Sequence, residues 1–201
     1  MVANPDLKIL IVDNHDIARK GLAMLVSRQT GLFVVAEAGT VADALKKVRE
    51  YVPDVVVMDA LLPDGSGIEA CRDVRDENPN IKVLMLTSYG DQTAVVGSIM
   101  AGASGYIIKK AQSQEISEII RKADIGQPLL DPTMVANAQE HIRNRGENPM
   151  IGPLTDQEQK ILKLIVEGQT NQKIASVINM SNEVIRDCVR NILGKLEISI
   201  R

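Results

Sequence analysis

Five short aliphatic and β-branched runs, near residues 7–12, 33–37, 54–59, 81–87 and 105–109, alternate strictly with stretches whose apolar residues recur at helical spacing. Val55-Val56-Val57-Met58 shows no polar alternation, which is the pattern of a strand covered on both faces. Between the runs, Ile17-Ala18-Gly21-Leu22-Leu25, Ala42-Leu45-Val48, Ile68-Cys71-Val74, Val95-Val96-Ile99 and Ile116-Ile119-Ile120 each make one apolar stripe. Strict alternation of this kind predicts an α/β domain, a flavodoxin-like doubly wound parallel sheet of five strands.

What stands at the strand ends bears on function. Val12-Asp13-Asn14-His15 closes the first run, Asp59 the third, Thr87 the fourth and Lys109 the fifth. Ligands of open α/β sheets bind outside the carboxyl ends of the strands, so two carboxylates, a hydroxyl and an ammonium are expected around one crevice. That set suits Mg²⁺ and a phosphoryl group. Taken singly, Asp13 and Asp59 read better as helix caps, Thr87 as a strand-end hydroxyl and Lys109 as a solvated charge; the ordered set of four reverses this and favours a site. His15 lacks metal-ligand companions in the sequence and reads as a helix-entry residue. Met85 and Met100 lie on apolar faces and read as core, as do Cys71 and Cys188, whose spacing suits neither zinc nor a disulfide framework.

The 201 residues, 45% hydrophobic, leave room for a second small core. No stretch reaches the length of a membrane span and the first residues lack a secretory pattern, so a cytoplasmic protein without a membrane partner is expected. Gly126-Gln127-Pro128 stops the first domain, assigned to residues 1–127. Asp131-Pro132 restarts a helix to about Arg145, and the glycine- and proline-rich segment that follows completes a linker over 128–153. Thr155-Asp156-Gln157-Glu158 then has capping-box spacing, Ile161-Leu162-Leu164-Ile165 a buried stripe, and Gly168 the place of a left-handed helix end. Asn171 to Ile178 and a second helix capped by Ser181, burying Val184, Ile185, Cys188, Val189, Ile192 and Leu196, describe a helix-turn-helix within 154–201. Residues 150–201 carry 7 basic and 6 acidic side chains, so an interaction with nucleic acid rests on this pattern and not on charge.

In order along the chain, Val12-Asp13, Asp59, Pro63, Gly67, Thr87, Ala101-Gly102-Ala103, Gly105-Tyr106 and Lys109 resemble the receiver domain of two-component response regulators of the NarL/FixJ class. Leu154-Thr155, Glu158, Gly168, Asn171, Ile174-Ala175, Ser181 and Lys195-Leu196 resemble its LuxR-type helix-turn-helix. Leu62-Pro63-Asp64-Gly65, Leu86-Thr87-Ser88-Tyr89 and Leu129-Leu130-Asp131 are also similar to the actinobacterial dormancy regulator branch. The resemblance implies Asp59 as phosphoacceptor for a partner histidine kinase, and Mg²⁺ held by Asp13, Asp59 and the Leu61 carbonyl. It implies Lys109 as the clamp on a phosphoryl oxygen, and Thr87 with Tyr106 as the switch. It further implies a homodimer on double-stranded DNA, contacted from outward positions Glu183, Arg186, Asp187, Arg190 and Asn191 and from the family's recognition position at Val184, with Lys173 and Lys195 on phosphates. The resemblance implies no enzyme, only a receiver that assists its own phosphoryl transfer and hydrolysis.

Two departures stand out. Asn14 occupies the place of the usual second acid, which implies weaker Mg²⁺ binding. The family usually continues past Lys195-Leu196 into a further helix, and without it Leu162, Ile165, Val189 and Leu193 are expected to form an exposed apolar patch. Asp187 opposes phosphate contact; Glu183/Arg186 and Asp187/Arg190 are also at intrahelical pairing distance. These features favour a competing reading, a phosphorylation-independent or non-DNA-binding receiver that acts as a protein-interaction or inhibitory module. A phosphohydrolase would want an acid where Leu61 stands.

Overall fold

The computed structural model describes residues 6–87, 92–109, 113–127, 129, 136, 140 and 154–196. The expected linker over 128–153 thus lies outside the described residues apart from Leu129, Ala136 and Glu140; the latter two are helical.

The first domain follows the expected alternation: β1 (Leu7–Val12), α1 (Asp16–Ser27), β2 (Leu32–Ala38), α2 (Val41–Tyr51) and β3 (Val55–Asp59). A small antiparallel pair, β4 (Leu61–Leu62) and β5 (Gly65–Ser66), comes next, then α3 (Gly67–Glu77), β6 (Lys82–Thr87), α4 (Gln92–Met100), β7 (Gly105–Ile108) and α5 (Ser113–Asp124). The parallel sheet has the order β2-β1-β3-β6-β7, with the reversal at β1 and β3 that opens a crevice between their carboxyl ends. The β4–β5 ladder pairs Leu61 with Ser66 and Leu62 with Gly65.

Alternation along the strands divides the core into two layers. Ile9, Ile11, Val55, Val57, Leu84 and Leu86 pack beneath α1 and α5. Leu10, Val12, Val56, Met58, Val83 and Met85 pack beneath α2, α3 and α4, in a cluster that runs on without a break into the second domain. Met85 and Met100 are core as expected, and Cys71 is fully buried while Cys188 is half-buried.

The second domain is α6 (Asp156–Val166), α7 (Asn171–Ile178) and α8 (Asn182–Lys195). Its helix starts follow the sequence: Thr155 and Glu158 form the reciprocal capping box, Thr170 caps α7 and Ser181 caps α8. Gly168 is left-handed, with φ 79°. The expected apolar patch is absent. Leu162, Ile165, Val189 and Leu193 are all buried, in the cluster that also contains Val96, Ile99 and Met100 of α4. The first domain supplies cover that a reading of the isolated second domain lacked.

Candidate functional site

Asp13 and Asp59 end neighbouring central strands and are 2% and 5% exposed. Lys109, just past β7, reaches across: its Nζ lies 2.7 Å from Asp59 Oδ2 and 3.2 Å from Asp13 Oδ2. Burial alone would lower the lysine pKa, but Asp59 and then Asp13 outweigh it and hold the ammonium above its ordinary value. The cation is therefore fixed at neutral pH. Asp13 Oδ1 accepts from the His15 backbone N–H at 2.8 Å, and His15 Nδ1 is 3.3 Å from the same oxygen. This corrects the view of His15 as lacking companions: Asp13, His15 and Asp59 offer ligand atoms within 4.8 Å of one another. Asn14 is exposed beside them.

The loop after Asp59 is braced. Asp64 accepts from the amides of Val41 at 2.7 Å and Ala42 at 3.0 Å, spanning the start of α2. Slight desolvation would raise its carboxyl pKa, but these amides prevail and hold it below the ordinary value. Gly67 donates its N–H to the Ala60 carbonyl, and a Cβ on Gly67 would stand 1.9 Å from the Asp59 carbonyl oxygen. Only glycine fits there. Leu61 is 40% exposed, with its N–H 3.4 Å from Asp59 Oδ1. Thr87 closes β6 opposite Ile108, but the hydroxyl expected to act in the switch lies outside the described side chains. Tyr106 is half-buried and packs against the cluster beneath α3 and α4.

The helix-turn-helix face is engaged by the first domain. Arg186 Nε is 2.8 Å from Asp73 Oδ1, off the line of its N–H, so the contact is between charges and not an aligned hydrogen bond. Arg190 Nε donates to Glu69 at 3.0 Å and its Nη1 to Asp187 at 3.3 Å. Of the two intrahelical pairs expected, Asp187/Arg190 is present, while Arg186 turns to α3. Val184 is exposed and does not belong to the buried stripe of α8, which is Ile185, Val189, Ile192 and Leu193. Lys195 is held by both carboxylate oxygens of Glu158, at 2.9 and 2.7 Å. Lys173, Glu183, Asp187 and Asn191 are exposed.

Deeper in the same contact lies a group that sequence reasoning missed. Arg72 of α3, 5% exposed, donates to the Met100 carbonyl, to Asn171 Oδ1 and to the Gln169 carbonyl. Burial pulls its guanidinium down to about 10, against the opposing charge of Asp76. Asp76 Oδ1 accepts from the Gln172 amide at 3.3 Å, capping α7 from outside its own domain. Glu69, Arg72, Asp73 and Asp76 have the i, i+3, i+4, i+7 spacing of a buried stripe, occupied by charge. That polar stripe was the available signal.

Comparison with known proteins agrees with this architecture. Residues 9–121 match the response regulator receiver domain, and residues 152–201 match the bacterial regulatory proteins of the luxR family. The chain is 39% identical over 197 residues to the DNA-binding transcriptional activator DevR/DosR of Mycobacterium tuberculosis, spanning 97% of this chain and 90% of that protein. It is 34% identical over 195 residues to the response regulator VraR of Staphylococcus aureus, spanning 97% and 92%. A LuxR-family response regulator from Aurantimonas sp. superposes with a TM-score of 0.59 at 34% identity, covering 67% of this chain and 96% of the other. The response regulator ChrA of a heme-sensing two-component system gives 0.56 at 26% identity, covering 98% and 94%. Receiver crevice, helix-turn-helix and these likenesses together make the chain a member of the LuxR-family response regulators of two-component systems.

Proposed function

We propose that Asp59 accepts a phosphoryl group from a phosphohistidine of a partner sensor kinase, and that this controls binding of the helix-turn-helix to double-stranded DNA. The observation that carries the reading is the Lys109 ammonium placed against both Asp59 and Asp13 at the sheet's switch point. A carboxylate oxygen of Asp59 attacks phosphorus as the phosphorus–nitrogen bond breaks; Lys109 then follows the charge from carboxylate to phosphoryl oxygen. Asp13, Asp59, Asn14 and the Leu61 carbonyl would supply the oxygen donors for Mg²⁺, and the closeness of Asp13 to Asp59 supports this. When bound, the ion lowers the repulsion between an anionic nucleophile and an anionic phosphoryl group. With Asn14 contributing no charge, its affinity is modest. Thr87 and Tyr106 carry the change to the α4–β7 face.

The effector half of the reading is supported by what Arg186 and Arg190 now touch. The α3 carboxylates stand where DNA phosphates would, so DNA contact by these two arginines, with Val184, Glu183, Asp187, Lys173 and Lys195 around them, requires that α8 leave α3. One module of such low net charge binds weakly, and a homodimer on paired half-sites in the cytoplasm is the working form. Domain limits of 1–127, 128–153 and 154–201 fit this division.

Intact mass after treatment with acetyl phosphate and Mg²⁺ tests the first half: wild type gains one phosphoryl group and Asp59→Ala gains none. Labelling of both alike refutes the assignment. DNA titration at several salt concentrations, with and without phosphorylation, tests the second.

A further inference from the structure

The stripe on α3 holds two opposite charges one helical turn apart, Arg72 and Asp76, that feel each other's field but share neither a hydrogen bond nor a close ion pair. Arg72 spends its donors on Met100 O (2.6 Å), Asn171 Oδ1 (2.9 and 2.6 Å) and Gln169 O (3.2 Å), all neutral acceptors. Asp76, 4% exposed, gives one oxygen to the Gln172 amide, while its Oδ2 is buried without a hydrogen-bond partner among the described residues. A buried charge left in this state is costly, whereas side chains four apart on a helix can pair directly.

We propose that Arg72 and Asp76 form a partner-exchange latch between the receiver and the helix-turn-helix. In the closed form Arg72 ties the carboxyl end of α4 to the amino end of α7, and Asp76 caps α7. In the open form the two side chains turn to each other and to water. The proposal rests on the phosphorylation-controlled reading above and deepens it. Arg72 is a positioning residue: it joins α4, the helix beside the switch, to the effector through a single planar group. A shift of the Met100 carbonyl removes one of its fixed acceptors, and the guanidinium then gains more from Asp76 than from staying.

The latch makes the two charges act in opposite senses. Arg72 holds the closed form; the Asp76 charge opposes it, because it is under-satisfied when closed and relieved when open. Asp76→Asn retains an oxygen to cap Gln172 but removes both the unpaired charge and the competing partner of Arg72. The test is amide exchange at Gln172, followed by NMR in the full-length chain, with DNA titration alongside. Arg72→Met is expected to speed exchange at Gln172 and raise DNA affinity of the unphosphorylated chain about tenfold. Asp76→Asn is expected to slow that exchange after phosphorylation and lower DNA affinity of the phosphorylated chain by about the same factor. If Arg72→Met does not fold, Asp76→Asn alone decides.

Asp76→Asn opening the contact as Arg72→Met does would overturn the latch, as would wild-type exchange in both. Failure of every variant to bind DNA while Gln172 responds as stated leaves the latch standing and removes the DNA reading. Phosphate-dependent DNA binding with an unresponsive Gln172 does the reverse.

Discussion

Replacing Lys109 by Met separates the cation's two roles. At 2.7 and 3.2 Å from two carboxylates that are nearly inaccessible, each contact would be worth ~5–6 kcal/mol at an effective dielectric of about 20, before desolvation. Lys109 is itself 32% exposed, so solvent screening and the cost of holding the chain reduce the net contribution to ~2–3 kcal/mol. Lys109→Met keeps the aliphatic stem and leaves Asp13 and Asp59 facing each other uncompensated. In chelator, a fall in Tm of roughly 5–10 °C is expected for a chain of this size. A divalent cation then meets two carboxylates with no ammonium to displace. Mg²⁺ affinity by isothermal titration should rise at least about tenfold over wild type, and millimolar Mg²⁺ should restore most of the lost Tm. The lysine pKa is raised in the folded protein, so its stabilisation is fully present below the ordinary lysine value and is lost only as pH rises through the higher one. Assays at pH 7–8 thus see it whole. Equal Mg²⁺ affinity in the two proteins, or a variant as stable as wild type in chelator, would refute the competition.

Gly67→Ala forces a Cβ to within 1.9 Å of the Asp59 carbonyl oxygen, which is backbone and cannot yield, so a loss of about 3 kcal/mol or more and slowed acetyl phosphate labelling are expected by thermal melts and mass spectrometry. Met58→Ala empties a fully buried site beneath α3 and should cost ~2–5 kcal/mol in a denaturant melt. Glu158→Gln weakens the capping box and the Lys195 pair, for ~1–2 kcal/mol, read as faster amide exchange in α6 and α8. Burial would raise the Glu158 pKa, but Lys195 and Thr155 prevail and depress it. Its contribution is therefore present above the ordinary glutamate value and fades as pH falls through the lower folded one, so exchange in wild type should approach that of the variant in acid.

Local chemistry was legible in the chain because it is written in neighbouring residues. The capping box at Thr155 and Glu158, the left-handed Gly168 and the acid-ended strands depend on residues within a few positions, and all stand where the sequence puts them. The crevice was legible because a doubly wound sheet brings its strand ends together whatever the loops do. The interdomain contact was not. Glu69, Arg72, Asp73 and Asp76 look like a solvated stripe until Arg186, Arg190, Asn171 and Gln172 meet them about a hundred residues later in the chain. Val184 was counted in the apolar stripe of its helix as well as among the DNA contacts, and the structure exposes it; cover for the second core was sought after Leu196, whereas α4 of the first domain packs against α6.

The Asp64 carboxylate spanning two amides of α2 makes one wall of the phosphoacceptor loop stiff. On the reading proposed above, a phosphorylated Asp59 meets this braced wall and, at Gly67, backbone packed too closely to admit even a methyl group. Any displacement is then expected to favour the opposite flank, where β6 and β7 lie and where α4 reaches Arg72.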